Sequence, residues 1–139
     1  MFVDAGSRFE NNQTLGASHI LDKLTLKSTE KYSSGALVEK IENMGGQFQC
    51  VASKELIMYQ GMIFHKDVDP MFDVLGQIVR KPLILENELD DAKLAASYDV
   101  YDSQWDPNAT LPDKLHAIAF RDPTLNVTIF RLIVNNNVG

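Results

Sequence analysis

Apolar positions recur along this chain with two different periods, and the switches between the periods mark its elements. Over residues 17–27 the period is helical: at about 100° per residue, Ala17, Ile20, Leu21 and Leu24 fall on one side, and His19, Asp22, Lys23 and Leu26 on the other. A first helix is predicted there, with a packing face and a face that carries chemistry. Ser33 and Ser34 offer N-cap hydroxyls to a second helix, whose stripe is Leu37, Val38, Ile41 and Met44 and whose end is Gly45 and Gly46. Residues 47–53 and 56–64 then read as two strands joined as a hairpin at Lys54 and Glu55. In the second strand Met58, Gln60, Met62 and Phe64 alternate with Ile57, Tyr59, Gly61 and Ile63, so both faces are largely apolar and the strand belongs inside the sheet.

The helical period returns downstream. Asp67 or Asp69 can cap a third helix with Pro70 in its first turn and Val68, Met71, Phe72, Leu75, Ile78 and Val79 as its buried face. Residues 86–102 predict a long acidic helix with Leu89, Leu94 or Ala96, and Val100 inward. Asp106 and Pro107 break it, and residues 111–120 predict another, packed through Leu111, Leu115, Ile118 and Ala119. Residues 1–5 read as the end of a strand, 6–14 as a polar turn, and 127–134 as a short apolar β-like run before an Asn-rich tail.

Composition narrows the possibilities. A chain of 139 residues with 45% hydrophobic content supports one compact domain at most. Nothing approaches the roughly 20 uninterrupted apolar residues that cross a bilayer, so no membrane span is expected. The net charge of -6 disfavours nucleic acid, which calls for a basic face, and suits basic peptide partners. The single cysteine, Cys50, has no internal disulfide partner and reads as a small buried hydrophobe in a reducing compartment. His65 has no second ligand at metal spacing and reads as a loop histidine.

The polar side of the first helix has the spacing of the inverted zinc-peptidase motif H-x-x-E-H, in which two His at i and i+4 bind zinc and the Glu activates its water. Here the letters are His19, Ile20, Leu21, Asp22, Lys23. Lys23 places an ammonium, which has no lone pair, where zinc needs an imidazole nitrogen. Asp22 is one methylene shorter than the glutamate. Such a site is predicted dead: no catalytic residue and no metal. The plainer alternative is an ordinary solvated helix face with weak surface pairs.

The run AGSRFENNQTLGASHILDKLTLKST, together with MGGQFQCVASKELIMYQ, LDDAKLAASYDVYD and LPDKLHAIAF in that order, resembles the alpha-type subunits of mitochondrial processing peptidases, within the pitrilysin-type zinc peptidases. The resemblance covers residues 3–120 and carries functional positions one at a time. Ungapped matching puts Ser97 at the third zinc ligand and Asp90 at the helper carboxylate seven residues earlier, so only His19 is retained among the ligands. The domain begins closer to the motif than the family pattern does, and residues 124–139 lose that pattern, which reads as a product shortened at both ends. Residues 1–120 are then a partial N-terminal peptidase-like domain and 121–139 a divergent tail.

The resemblance implies an α+β fold, a mostly antiparallel sheet with helices on one face, incomplete relative to the family. It implies a non-catalytic alpha-type subunit in the mitochondrial matrix, paired with a beta-type subunit that holds the zinc, and assisting cleavage of basic amphipathic presequences. The acids of the long helix, Asp99 and Asp102 above all, are the candidate presequence contacts; the alternative is that they form a solvated face. Two other readings stay open: a structural core subunit of the mitochondrial cytochrome reductase complex, and a truncated product with no independent activity.

Overall fold

The computed structural model describes residues 1–11, 13–103 and 105–119. The expected tail, with its apolar run at 127–134, lies outside the described residues. Three strands, β1 (Phe2–Val3), β2 (Gln47–Ala52) and β3 (Ile57–Met62), form an antiparallel sheet in the order β1-β3-β2. The hairpin pairs Cys50 with Tyr59 and Ala52 with Ile57, while Val3 pairs with Ile57 on the other edge of β3. The strand with two apolar faces is thus the central one, as its alternation predicts. At the hairpin turn Gly6, Ser7 and Arg8 donate their N–H groups to Glu55, Ser53 and Lys54 carbonyls. A Cβ on Gly6 would stand 2.5 Å from the Glu55 backbone, so only glycine permits that approach.

Helices α1 (Ala17–Lys23), α2 (Ser34–Asn43), α3 (Val68–Arg80), α4 (Glu86–Ser103) and α5 (Pro107–Ala119) complete the described chain. The core sits between the sheet and two of them: Leu37, Ile41 and Met44 from α2 and its C-cap, Ile57 and Tyr59 from β3, and Met71, Val74 and Ile78 from α3. α2 starts and stops where its sequence directs. Ser33 Oγ accepts the Ala36 N–H, and Gly45 turns the chain at φ 63°, where its N–H reaches the Glu42 carbonyl. The loop before α2 is fastened to α3 through Asp73, which accepts from Tyr32 Oη at 2.6 Å and Lys31 Nζ at 2.8 Å. The Lys31 bond, then the Tyr32 bond, hold the Asp73 carboxyl down at about 2.

Several expected faces are placed differently. α3 buries Val74 in place of Phe72, which is exposed together with Val68. α1 ends at Lys23, with Leu24 as its C-cap, four residues short of the predicted end. α4 turns Ala96 and Val100 inward as expected, adds Glu88 and Ala92 to that row, and leaves Leu94, the alternative to Ala96, in solvent. α5 begins at Pro107 and runs through Pro112, and its expected packing residues Leu111, Leu115 and Ile118 are all exposed. For the faces of α3, α4 and α5 the reason is shared. Periodicity locates an apolar stripe, whereas burial depends on what lies opposite it.

Candidate functional site

α1 is positioned by a carboxylate from outside the helix. Gly16, its N-cap, adopts φ 81° and has no side chain to satisfy the first free N–H groups. Glu10 does this instead. Its buried carboxylate accepts the Gly16 N–H at 2.6 Å, the Ser18 N–H at 2.8 Å and the Ser18 hydroxyl at 2.6 Å. An anionic acceptor at the positive end of a helix makes these bonds strong. It also fixes the rotation of α1 about its axis, and therefore where His19, the next residue, points.

That rotation meets the expected division of faces only in part: Leu24 is buried and Ile20 half-buried, as expected. Ala17 and Leu21 are exposed, and with Ile20, Leu24, Ile84 and Leu89 they line an open groove of about 320 Å³. The polar side faces protein. His19 and Lys23, one turn apart, meet Asp99 of α4: the Lys23 ammonium contacts Asp99 Oδ2 directly, and His19 Nε2 lies 3.7 Å from the same oxygen. His19 Nε2 is shut off from water and makes no hydrogen bond. Asp22 lies instead toward the sheet, where its charge acts on the Cys50 thiol of β2.

The electrostatics follow from this placement. Burial, then the Lys23 charge, push His19 below its ordinary value, against the opposing pull of Asp99, Asp22 and Glu10. The imidazole is therefore neutral beside an ammonium–carboxylate pair. Burial raises the Cys50 thiol to about 11 and the Tyr59 hydroxyl to about 12, and the Asp22 charge adds to both shifts. Cys50 is thus a protonated, unreactive thiol at neutral pH.

A third position is displaced. The α4 side chain brought to His19 and Lys23 is Asp99, where ungapped matching puts Ser97. The Ser97 hydroxyl donates back to the Leu94 carbonyl at 2.7 Å. An offset of two residues turns a helical side chain through about 200°, so Ser97 and Asp99 stand on different sides of α4. Asp90, the expected helper carboxylate, makes an exposed pair with Lys93 at 3.1 Å, and the residue seven before Asp99 is the buried Ala92. Asp102 is exposed and stands apart from this junction, so the structure brings only Asp99 of the two candidate acids to His19. Zinc does not fit these residues. Lys23 has no lone pair to offer, and its ammonium occupies Asp99, the one carboxylate from α4 within reach of His19. Among the described residues no three His, Cys, Asp or Glu side chains converge as a metal-holding group.

The family model of the insulinase family, peptidase family M16, matches residues 1–131. The chain belongs to this family. Among M16-related proteins, it is 36% identical over 125 residues to the mitochondrial-processing peptidase subunit alpha of Neurospora crassa, covering 90% of this chain and 22% of that protein. Identity is 34% over 125 residues to the probable subunit alpha of Schizosaccharomyces pombe, covering 90% and 25%, and 30% over 129 residues to the probable subunit beta of Arabidopsis thaliana, covering 93% and 24%. The chain spans about a quarter of the length of these relatives. The α+β architecture, with its antiparallel sheet and five helices among the described residues, is that of a partial M16 domain.

Two carboxylates that build the site escape a reading by composition, Glu10 and Glu88. Glu88 lies buried at the start of α4, where it accepts from the Ser28 N–H at 3.1 Å and the Ser28 hydroxyl at 2.7 Å and so ties α4 to the loop after α1. The signal was available: Glu88 continues the i, i+4 row of Ala92, Ala96 and Val100.

Proposed function

We propose that this chain acts as a non-catalytic, alpha-type subunit of a mitochondrial processing peptidase in the matrix, beside a beta-type subunit that carries the zinc. In this role it holds basic amphipathic presequence helices for cleavage. The alpha-type assignment is supported by the identities of 36% and 34% to two alpha subunits, against 30% to a beta subunit. The non-catalytic assignment is supported by Lys23, whose ammonium is paired with Asp99.

The observation that carries the binding role is the outer face of α4. Opposite its buried row, Leu94, Tyr98 and Tyr101 stand 55–62% exposed along one line of the helix. At about 100° per residue, exposed Asp90 flanks that line on one side and exposed Asp91 and Asp102 flank it on the other. A helix with small residues inside and large aromatic ones outside presents an apolar track between carboxylates. A basic amphipathic helix complements both parts, placing its apolar stripe on the rings and its Arg or Lys side chains over the acids and ring faces. Asp102 keeps its expected role in this arrangement. Asp99 does not, because the Lys23 ammonium is paired with it.

The test is fluorescence anisotropy of a labelled presequence peptide with the purified chain, in parallel with cleavage by a beta-type subunit with and without the chain. Asp91→Asn/Asp102→Asn should weaken binding about 3- to 10-fold, more at low salt than at high, and Tyr98→Ala/Tyr101→Ala at least about 5-fold. Binding unchanged in both double variants, or cleavage not stimulated by a folded chain, would refute the proposal.

A further inference from the structure

Two of the apolar surfaces that lie open among the described residues match each other. One is the groove beside α1, lined by Ala17, Ile20, Leu21 and Leu24 at i, i+3, i+4 and i+7 and walled by Ile84 and Leu89. The other is the stripe of Leu111, Leu115 and Ile118 on α5, at i, i+4 and i+7 and 63–82% exposed. Each runs along seven residues of helix, about 10 Å. This is the spacing with which an amphipathic helix is held in an apolar groove.

The wall of the groove is held under strain. Ile84 has φ 50°, a conformation rare for a β-branched residue. The chain is fixed on both sides of it, since the Leu83 N–H donates to the Ser28 carbonyl at 3.0 Å and the Leu89 N–H to the Leu85 carbonyl at 2.8 Å. The backbone thus holds Ile84 at the edge of the groove, 46% exposed. The chain's own α5 is too short to fill the groove. From Leu89 to the end of α4 at Ser103 is about 21 Å of helix, and from Pro107 to Ile118 about 17 Å, so α5 folded back along α4 stops short of the inner end. The α5 of a second copy has no such limit.

We propose that two copies of this chain exchange α5 reciprocally, the stripe of Leu111, Leu115 and Ile118 on each lying in the α1 groove of the other. Each copy gives one helix and receives one, so the contact is isologous and closes as a dimer. A single contact of three side chains is small, whereas two together approach the roughly 1,200 Å² at which specific interfaces begin. The charges agree. Lys114 is exposed beside the α5 stripe, and Glu86 is exposed one turn before Leu89 at the rim of the groove. The dimer goes beyond the proposed function and makes no use of presequence binding.

The test is sedimentation velocity of the full chain over a range of concentrations. The parent should pass from monomer to dimer as concentration rises. Leu115→Glu on α5 and Leu21→Glu in the groove should each weaken dimerisation at least about 10-fold, because either change puts a charge into the same apolar contact. Phe72→Glu is the control: Phe72 is 68% exposed on α3 and belongs to neither surface, so its loss should leave the dimer within about 2-fold of the parent. On a Cys50→Ala background, a mixture of Leu21→Cys and Leu115→Cys chains should give a dimer with a short bismaleimide that neither chain gives alone. A parent that stays monomeric throughout, or either glutamate variant dimerising as the parent does, would overturn the proposal. So would Phe72→Glu weakening the dimer as much as the other two, which would mean unspecific apolar association. Failure of the mixed chains to cross-link counts against it equally. If Leu21→Glu does not fold by circular dichroism, Ala17→Glu replaces it, since Ala17 is exposed in the first turn of α1, where an acid suits a helix.

Discussion

Glu10 and His19 show how single residues set the state of the site. Glu10 is a buried anion, and it is tolerable there because three donors surround it at hydrogen-bonding distance. His19 is a half-buried base that stays neutral because burial and the Lys23 charge outweigh three carboxylates. The linkage has a definite sign. A group whose folded-state value lies below its ordinary 6.5 binds fewer protons folded than unfolded. Its contribution to stability is therefore fully present above pH 6.5 and is lost as pH falls from there through the lowered folded value. Urea melts across that range should show stability declining below pH 6.5 in the parent chain, with a shallower decline in His19→Gln. Identical pH profiles in the two chains would show that His19 is not the group responsible.

At the scale of elements, α4 deserves comparison with α2. Both have a clear helical period, but α2 buries its large apolar residues and α4 buries its small ones. The small residues allow α1 to approach α4 closely enough for Lys23 to contact Asp99. A larger side chain at Ala96, which is 3% exposed, should force the helices apart. Ala96→Leu is expected to cost about 1–3 kcal/mol through overpacking. In urea unfolding its midpoint should fall with an unchanged m value; a midpoint at or above that of the parent would show space at the junction that the structure does not have. The helix type of α4 was legible from sequence alone. Its orientation was not, because Leu94, Tyr98 and Tyr101 make as good an apolar stripe as Ala92, Ala96 and Val100. Only the position of α1 selects between them.

Over the whole molecule, the described core lies between the sheet, α2 and α3, and much apolar surface remains outside it. Leu111, Leu115 and Ile118 of α5 are 63–82% exposed. Exposed apolar surface of this kind favours association. Replacing all three with Ser should therefore reduce concentration-dependent self-association in sedimentation velocity, while the melting temperature stays within about 2 °C of the parent. A fall of many degrees would mean that α5 packs through those residues.

The sequence by itself determined the family, the elements and their limits to within a few residues, because caps, glycines and hydrophobic periods act over one or two turns of chain. The Ser33 cap, the Gly45 turn and the central place of β3 all follow from neighbouring letters. The family pattern also marked the altered motif from His19 to Lys23. Tertiary structure alone decided which faces are inside and which distant side chains meet: Glu10 with the start of α1, Glu88 with Ser28, and Asp99 rather than Ser97 with Lys23. The physical reason is that burial and ion pairing are properties of two surfaces brought together. A helix of two apolar stripes carries no local signal of which one its neighbour will cover.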